Sequence, residues 1–353
     1  MKPYPNRLTQ FFLLLSIMIG LVGCKPNPQD DIALFQPFIT ENINKKSADP
    51  YISSTVKPGD KLYDILVNIQ HGRHDIAANQ LQAMIEENDS DAMVWYAKLI
   101  YRSSINNIPK ALSLYKKAMD DGNPYAYIML SPGLISSGCV SYFGENNCTL
   151  EHLNKAIELF KPLSEKGDLR AQYFLLKQQE LDQSKETRAQ YIQEVIRFSQ
   201  SYYYQPLMDY VNTILIYSPS KGKSESKTVE QYQLAIDLLT IAANNNYIPA
   251  VNDLAYYLKE TSREESERLR NLALKLGSTS AVKYKYHRSH EGSKNKYFYN
   301  DLYKGLSGKY AFDVHTLNEE EKAKVHEKVK LFMKDITPMV YIDGFTSRDD
   351  WVD

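Results

Sequence analysis

The chain has 353 residues, of which 43% are apolar, and its 42 basic and 43 acidic side chains give a formal net charge of −1. This length and composition suffice for a continuous helical core, and no alternation of apolar and polar residues is long enough to require a sheet domain. Nucleic acid is a poor partner for such a chain, because its lysines are interleaved with acids and form no basic face.

The first 24 residues predict export and lipidation. Lys2 and Arg7 precede an apolar run from Phe11 to Val22, which is shorter than the ~20 residues that span a bilayer. The run ends in LVGC at positions 21–24, which resembles a bacterial lipobox, where a signal peptide is cut before a cysteine that then carries lipid. We therefore expect a signal peptide over 1–23 and a lipidated Cys24. The alternative is an ordinary signal peptide with a chance cysteine.

The residues after Cys24 bear on where the body of the protein lies. The retention signal of enterobacterial inner-membrane lipoproteins has an aspartate after the cysteine, and Lys25 stands there instead. The resemblance therefore implies an outer-membrane anchor with the body facing the periplasm. The segment 24–58 is rich in proline and polar residues, which predicts a mostly extended tether, although residues 32–38 could pack on the body.

Between residues 77 and 281, two small or apolar residues recur with a spacing of fifteen. The pairs are Ala77 with Ala92, Ala111 with Ala126, Ala156 with Ala171, Ala235 with Ala250, Ser266 with Ala281, and a degenerate copy at Ile192 with Leu207. Eleven residues after the first residue of each pair, every clear copy has Gly or Asn: Asn88, Gly122, Gly167, Asn246 and Gly277. These residues accept the left-handed conformation that ends a helix, so each copy predicts a helix of about three turns, a stop and a second helix.

Three stretches carry a resemblance to a known family: ALSLYKKAMDDGNPYA (111–126), AIELFKPLSEKGDLRA (156–171) and AIDLLTIAANNNYIPA (235–250). They resemble Sel-one-like repeats, which are relatives of the tetratricopeptide repeat. The resemblance implies an all-α fold, with a right-handed α/α solenoid of helical hairpins over 59–290 and C-terminal capping helices and a tail over 291–353. The chain departs from the family where Ala97, Ser131, Leu176 or Ala255 replaces the usual Gly of the first helix.

Two cysteines remain once Cys24 is set aside. Cys139 and Cys148 lie nine residues apart in the insertion GCVSYFGENNC of the longest repeat, in a protein expected outside the cytoplasm, where disulfides persist. We predict that they are bonded to each other. The pair forms a purely structural staple, or it has a redox or metal role, or it is the base of a rigid finger that presents Tyr142 and Phe143 to a partner.

The helix that follows each stop is the first helix of the next hairpin. Such first helices line the concave side of a solenoid, and positions along them are counted from the second residue of each pair. Three residues on come Trp95, Met129 and Phe174, which we expect in the core. Nearby positions turn away from the neighbouring hairpin and carry Tyr127, Tyr173 and Tyr256. Tyrosine suits protein contacts, because it buries much area for little entropy, so these three are candidate partner-binding residues. Packing is the alternative role.

Residues 316–334 predict one further helix, with a capping box formed by Asn318 and Glu321 and a stop at Pro338. The closing segment VYIDGFTSRDDWVD combines Phe345 and Trp351 with four aspartates. It either docks back as part of the cap or forms an acidic, aromatic arm that meets the partner.

No set of residues in the sequence supports catalysis. His287 and His290 form an HxxH pair without a third metal ligand, and the HxK at His326, which resembles part of a phospholipase D motif, lacks an aspartate at the required spacing. We therefore expect no enzymatic activity, no cofactor and no metal.

Two functions remain, both with another protein as the partner and the membrane reached through the N-terminal lipid. Lipoproteins with Sel-one-like repeats resemble those encoded beside phospholipase effectors of contact-dependent secretion. The resemblance therefore implies an immunity protein that blocks a secreted toxic effector. The alternative is a general envelope scaffold that organises cell-wall or secretion machinery.

Overall fold

The structure is a computed structural model that describes residues 27–132, 138–215, 227–311 and 317–352. The signal peptide and Cys24 lie outside these residues, so their assignment stays a prediction. Across the described ranges the secondary structure consists of seventeen α-helices and short 3-10 helices, with no strand. The predicted all-α class is confirmed.

The helices are named here in chain order. They are α1 (Pro28–Asn42), α2 (Tyr63–Gln70), α3 (His74–Glu86), α4 (Ser90–Ile100), α5 (Ile108–Asp120), α6 (Pro124–Met129), α7 (Cys139–Phe143), α8 (Leu150–Glu165), α9 (Leu169–Lys177), α10 (Lys185–Gln200), α11 (Gln205–Leu215), α12 (Val229–Asn244), α13 (Ile248–Tyr257), α14 (Arg263–Lys275), α15 (Thr279–Arg288), α16 (Lys294–Ser307) and α17 (Glu319–Lys334).

The fifteen-residue pairs occupy the interfaces between helices. All twelve residues of the six pairs are at most 2% exposed. The predicted stop residues Asn88, Gly122, Gly167, Asn246 and Gly277 all have a left-handed backbone, with φ between 61° and 91°. Each clear copy is therefore a helix, a left-handed stop and a second helix, as predicted. In the degenerate copy Tyr202 takes the left-handed conformation, with φ of 60°.

Helices that are neighbours in the chain pack against one another from α2 to α6 and from α10 to α17. The two ends of the repeat series also meet. The ring nitrogen Nε2 of His71, in the turn between α2 and α3, lies 3.0 Å from the carbonyl oxygen of Gly277, in the turn between α14 and α15. The turn before the first copy thus contacts the stop of the last copy.

The extended-tether prediction is wrong over residues 28–42, which form a helix, whereas the alternative that residues 32–38 pack on the body agrees with the structure. Asn27 caps α1 by accepting a hydrogen bond from the Gln29 backbone N–H at 3.0 Å, and Pro28 occupies the first turn, where its missing N–H does no harm. The helix packs on α10 and α12, and Phe35 is fully buried there. This burial, together with a buried ion pair at Asp31, holds the segment on the body.

The C-terminal segment 338–352 packs into the body of the protein. Met339, Val340 and Ile342 are fully buried, and Trp351 is 1% exposed. Its backbone pairs with the N-terminal segment, since the Thr55 N–H donates to the Val340 carbonyl at 2.8 Å. Of the two roles considered for this segment, it docks back on the body rather than projecting as a free arm.

The helices that follow the left-handed stops are here called the inner helices: α4, α6, α9, α11, α13 and α15. Their aromatic side chains explain where the tail docks. Phe345 stacks on Phe174 of α9, with ring centroids 5.4 Å apart and planes 7° from parallel, and Trp351 lies 5.7 Å from Trp95 of α4. These contacts bury large aromatic surfaces that the hairpins alone would leave exposed.

Candidate functional site

A cleft with a cavity volume of about 560 Å³ opens between the inner helices and the C-terminal segment. The helices α9, α11 and α13 form one wall and residues 341–352 form the other. Among the described residues that line it are five carboxylates and a single cation, namely Asp209, Asp253, Asp343, Asp349, Asp350 and Lys177. The cleft is therefore acidic, with tyrosine rings between the acids.

Three of these carboxylates are held by partners. Asp209 accepts a hydrogen bond of 2.5 Å from the Tyr173 hydroxyl, and Asp343 accepts one of 3.0 Å from the Tyr203 hydroxyl. Asp349 pairs with Arg102 at 2.8 Å. Burial and the adjacent carboxylates raise the pKa of both Tyr173 and Tyr203 above the usual range, so both hydroxyls stay protonated and keep donating.

Asp253 and Asp350 differ from the other three acids. No side chain in the described part of the chain donates a hydrogen bond or forms an ion pair with either carboxylate. Burial raises the pKa of Asp253 to about 6. The pKa of Asp350 is raised mainly by partial desolvation and, to a smaller extent, by repulsion from Asp349. Asp253 is half-buried, whereas Asp350 is exposed, so poor solvation of the charge applies mainly to Asp253. A half-buried carboxylate without a counter-ion is characteristic of binding sites, and a cationic group would relieve it.

A buried lysine fixes the wall that the tail provides. Lys98 of α4 is 3% exposed and donates from Nζ to the carbonyls of Gly344 at 2.9 Å and Thr346 at 3.1 Å. Its ammonium lies over the rings of Trp95 and Trp351, at 4.9 and 5.7 Å from their centroids. Burial lowers the pKa of Lys98 to about 8, while the charge of Asp343 opposes that shift.

The sequence-predicted partner-binding residues do not form one site. Tyr173 lines the cleft, but its side chain is 4% exposed and its hydroxyl donates to Asp209. Tyr127 is half-buried beside His152, with ring centroids 6.0 Å apart. Tyr256 is 54% exposed on the outside of α13 and is not part of the cleft. The expectation that Tyr173 presents an open ring is corrected, because its ring packs on Phe198.

The cysteine loop is stapled but does not project its aromatic residues. Cys139 and Cys148 are bonded, with Cα atoms 5.9 Å apart. Phe143 is 6% exposed and lies between Tyr101 and Tyr115, at centroid distances of 5.8 and 5.7 Å. Tyr142 is half-buried against Tyr101.

The expectation that Phe143 reaches a partner is therefore corrected, and the structural-staple interpretation fits the geometry.

The sequence analysis did not select Asp253 as a site residue. Its position in the repeat could have indicated it. Asp253 is a charged residue at the position where other copies carry the buried Trp95, Met129 and Phe174.

Comparison of the chain with models of protein families, with curated proteins and with solved structures finds no match. Within the described ranges, no helix has the length and apolar character needed to cross a bilayer. The same ranges contain no group of three or more His, Cys, Asp or Glu side chains that could hold a metal ion.

Proposed function

We propose that this chain is a lipid-anchored periplasmic protein that binds another protein, and specifically that it is an immunity protein against a secreted toxic effector of the phospholipase class. Its body would be a right-handed α/α solenoid of Sel-one-like hairpins, anchored in the outer membrane through Cys24. The repeated helix–stop–helix units with buried Ala pairs support the solenoid. The lipobox resemblance supports the anchor.

The acidic cleft is the observation that carries the binding proposal. Its volume lies within the range of about 300–1,000 Å³ typical of pockets that enclose a ligand. Asp253 is half-buried without a counter-ion and Asp350 is repelled by Asp349. A lysine or arginine side chain of the partner would form ion pairs that relieve the poor solvation of Asp253 and the repulsion at Asp350. We therefore propose that the partner inserts a basic segment between the C-terminal segment and the inner helices.

Rigid walls make such a cleft suitable for tight binding. The Lys98 contacts and the aromatic stacking of Phe345 fix the tail before any partner arrives. Little conformational entropy is then lost on association, which favours affinity. The tyrosine rings between the acids add contact area for the aliphatic stem of a lysine or arginine.

The test is affinity capture with the soluble body, residues 25–353, from the secreted proteins of sibling cells. We expect retention of an effector, and we expect the double variant Asp253→Asn/Asp350→Asn to weaken that binding at least tenfold. Asp120→Asn is the matched control, because it removes an exposed charge at the end of α5, outside the cleft. Capture of resident cell-wall or secretion proteins instead would favour the scaffold function. Equal binding by the double variant would contradict the cleft as the site.

A further inference from the structure

The first described residue of the chain is held on the body, close to the predicted lipid. The Gln231 side-chain amide donates to Asn27 Oδ1 at 3.0 Å, and the Thr228 hydroxyl donates to Gln29 Oε1 at 2.8 Å. Asn27 thus lies against the first turn of α12. Three residue steps separate it from Cys24, and a fully extended chain covers at most about 11 Å in three steps.

That distance leaves the body no freedom to stand away from the membrane. Acyl chains on Cys24 enter the hydrocarbon, and the headgroup layer on each side of it is about 5–8 Å thick. The surface around Asn27 must therefore lie at or within the headgroups. The predicted tether of 24–58 would have allowed a much larger separation, but α1 removes it.

Exposed apolar side chains surround this attachment point. Val229, in the first turn of α12, is 80% exposed, Leu34 of α1 is 39% exposed and Tyr232 is 37% exposed. Leu34 and Asn27 line the same shallow pocket. Val229 follows Thr228, whose hydroxyl donates to Gln29, and Tyr232 lies one turn further on the same side of α12 as Val229. The Tyr232 ring also contacts Tyr257 at a centroid distance of 6.2 Å, which braces it at the surface.

We propose that this face, defined by Leu34, Val229 and Tyr232, rests on the phospholipid surface and sets the orientation of the body. The proposal depends on the lipid anchor of the proposed function. Apolar side chains gain about 25 cal/mol per Å² on leaving water, and tyrosine favours the interface between headgroups and hydrocarbon. The exposed charges beside the face are mixed, with Lys185 and Lys227 against Asp30 and Glu230. The contact therefore requires no anionic lipid.

The experiment uses the full acylated chain in vesicles of zwitterionic phosphatidylcholine with a brominated fraction, which quenches tryptophan fluorescence at short range. Val229→Trp places the reporter on the proposed face. Ile105→Trp is the matched control, because Ile105 is 79% exposed on a short 3-10 helix that packs on α5. The native Trp95 and Trp351 are 5% and 1% exposed and give the background, measured with the unsubstituted chain.

We expect V229W to show at least twofold stronger quenching than I105W, together with a blue-shifted emission. Equal quenching of the two variants, on protein that floats with the vesicles, overturns the proposed face while leaving the anchor intact. Protein that fails to float overturns the anchor, and the proposed face with it. Tyr232→Trp gives a second reporter on the same face and is expected to behave as V229W does.

Discussion

Replacing Asp31 with asparagine should release the N-terminal helix from the body. Asp31 is fully buried in α1 and accepts three hydrogen bonds from the Arg188 guanidinium at 2.7–3.2 Å, plus one from the Tyr210 hydroxyl at 2.9 Å. Removing one partner of a buried pair costs about 3–5 kcal/mol, because the other charge is left uncompensated. The Arg188 side chain keeps 12% exposure, so we expect the lower end of that range, about 3 kcal/mol.

Urea unfolding measures this loss, and amide hydrogen exchange of residues 28–42 locates it. Asp30→Asn is the control, because Asp30 is exposed in the same helical turn, and its replacement should change stability by no more than about 0.5 kcal/mol. Exchange in α1 should accelerate in D31N and stay unchanged in D30N. If the two variants unfold alike, the ion pair does not anchor the helix.

Three further predictions concern the disulfide and the two groups with shifted pKa. Replacing Cys139 and Cys148 by serine should destabilise the protein by roughly 2.5 kcal/mol from loop closure, measured in urea, and no loss would contradict the staple. Lys98 has a folded pKa of about 8 against 10.5 unfolded, so the unfolded chain binds more protons between these values and stability should rise by about 2 kcal/mol from pH 8 to 10. Lys98→Met should abolish that rise. Asp253 has a folded pKa of about 6, so stability should fall from pH 4 to 6, and Asp253→Asn should flatten the profile and stabilise the protein by about 1–2 kcal/mol at pH 7.

The repeated part of the fold could be predicted because its signals are local. A small residue at each helix crossing and a Gly or Asn at each stop are dictated by packing distance and by backbone conformation, and both recur at fixed spacing. The structure places Ala111 and Ala126 fully buried and Gly122 at a φ of 76°. The Asn318 cap was predictable for the same reason, and its side chain accepts from the Glu321 N–H at 2.9 Å.

The terminal segments could not be placed from sequence, because their positions depend on contacts between distant residues. Prolines and polar residues are typical of a tether, but Asp31 meets Arg188 across 157 positions, which makes α1 part of the body. The same holds for the tail, whose Phe345 finds Phe174. The tail then covers part of the inner helices, where exposed tyrosines were expected, and it forms one wall of the cleft that contains Asp253.

The most direct test of the central claim is the survival of cells attacked by siblings that secrete the phospholipase-class effector that we propose as the partner. Cells that lack the gene should die, and the wild-type gene or the Asp120→Asn variant should restore survival. The Asp253→Asn/Asp350→Asn variant should accumulate to the same level in the envelope and yet fail to protect. Full survival of cells that lack the gene would contradict the immunity function, and full protection by the double variant would contradict the role of the acidic cleft.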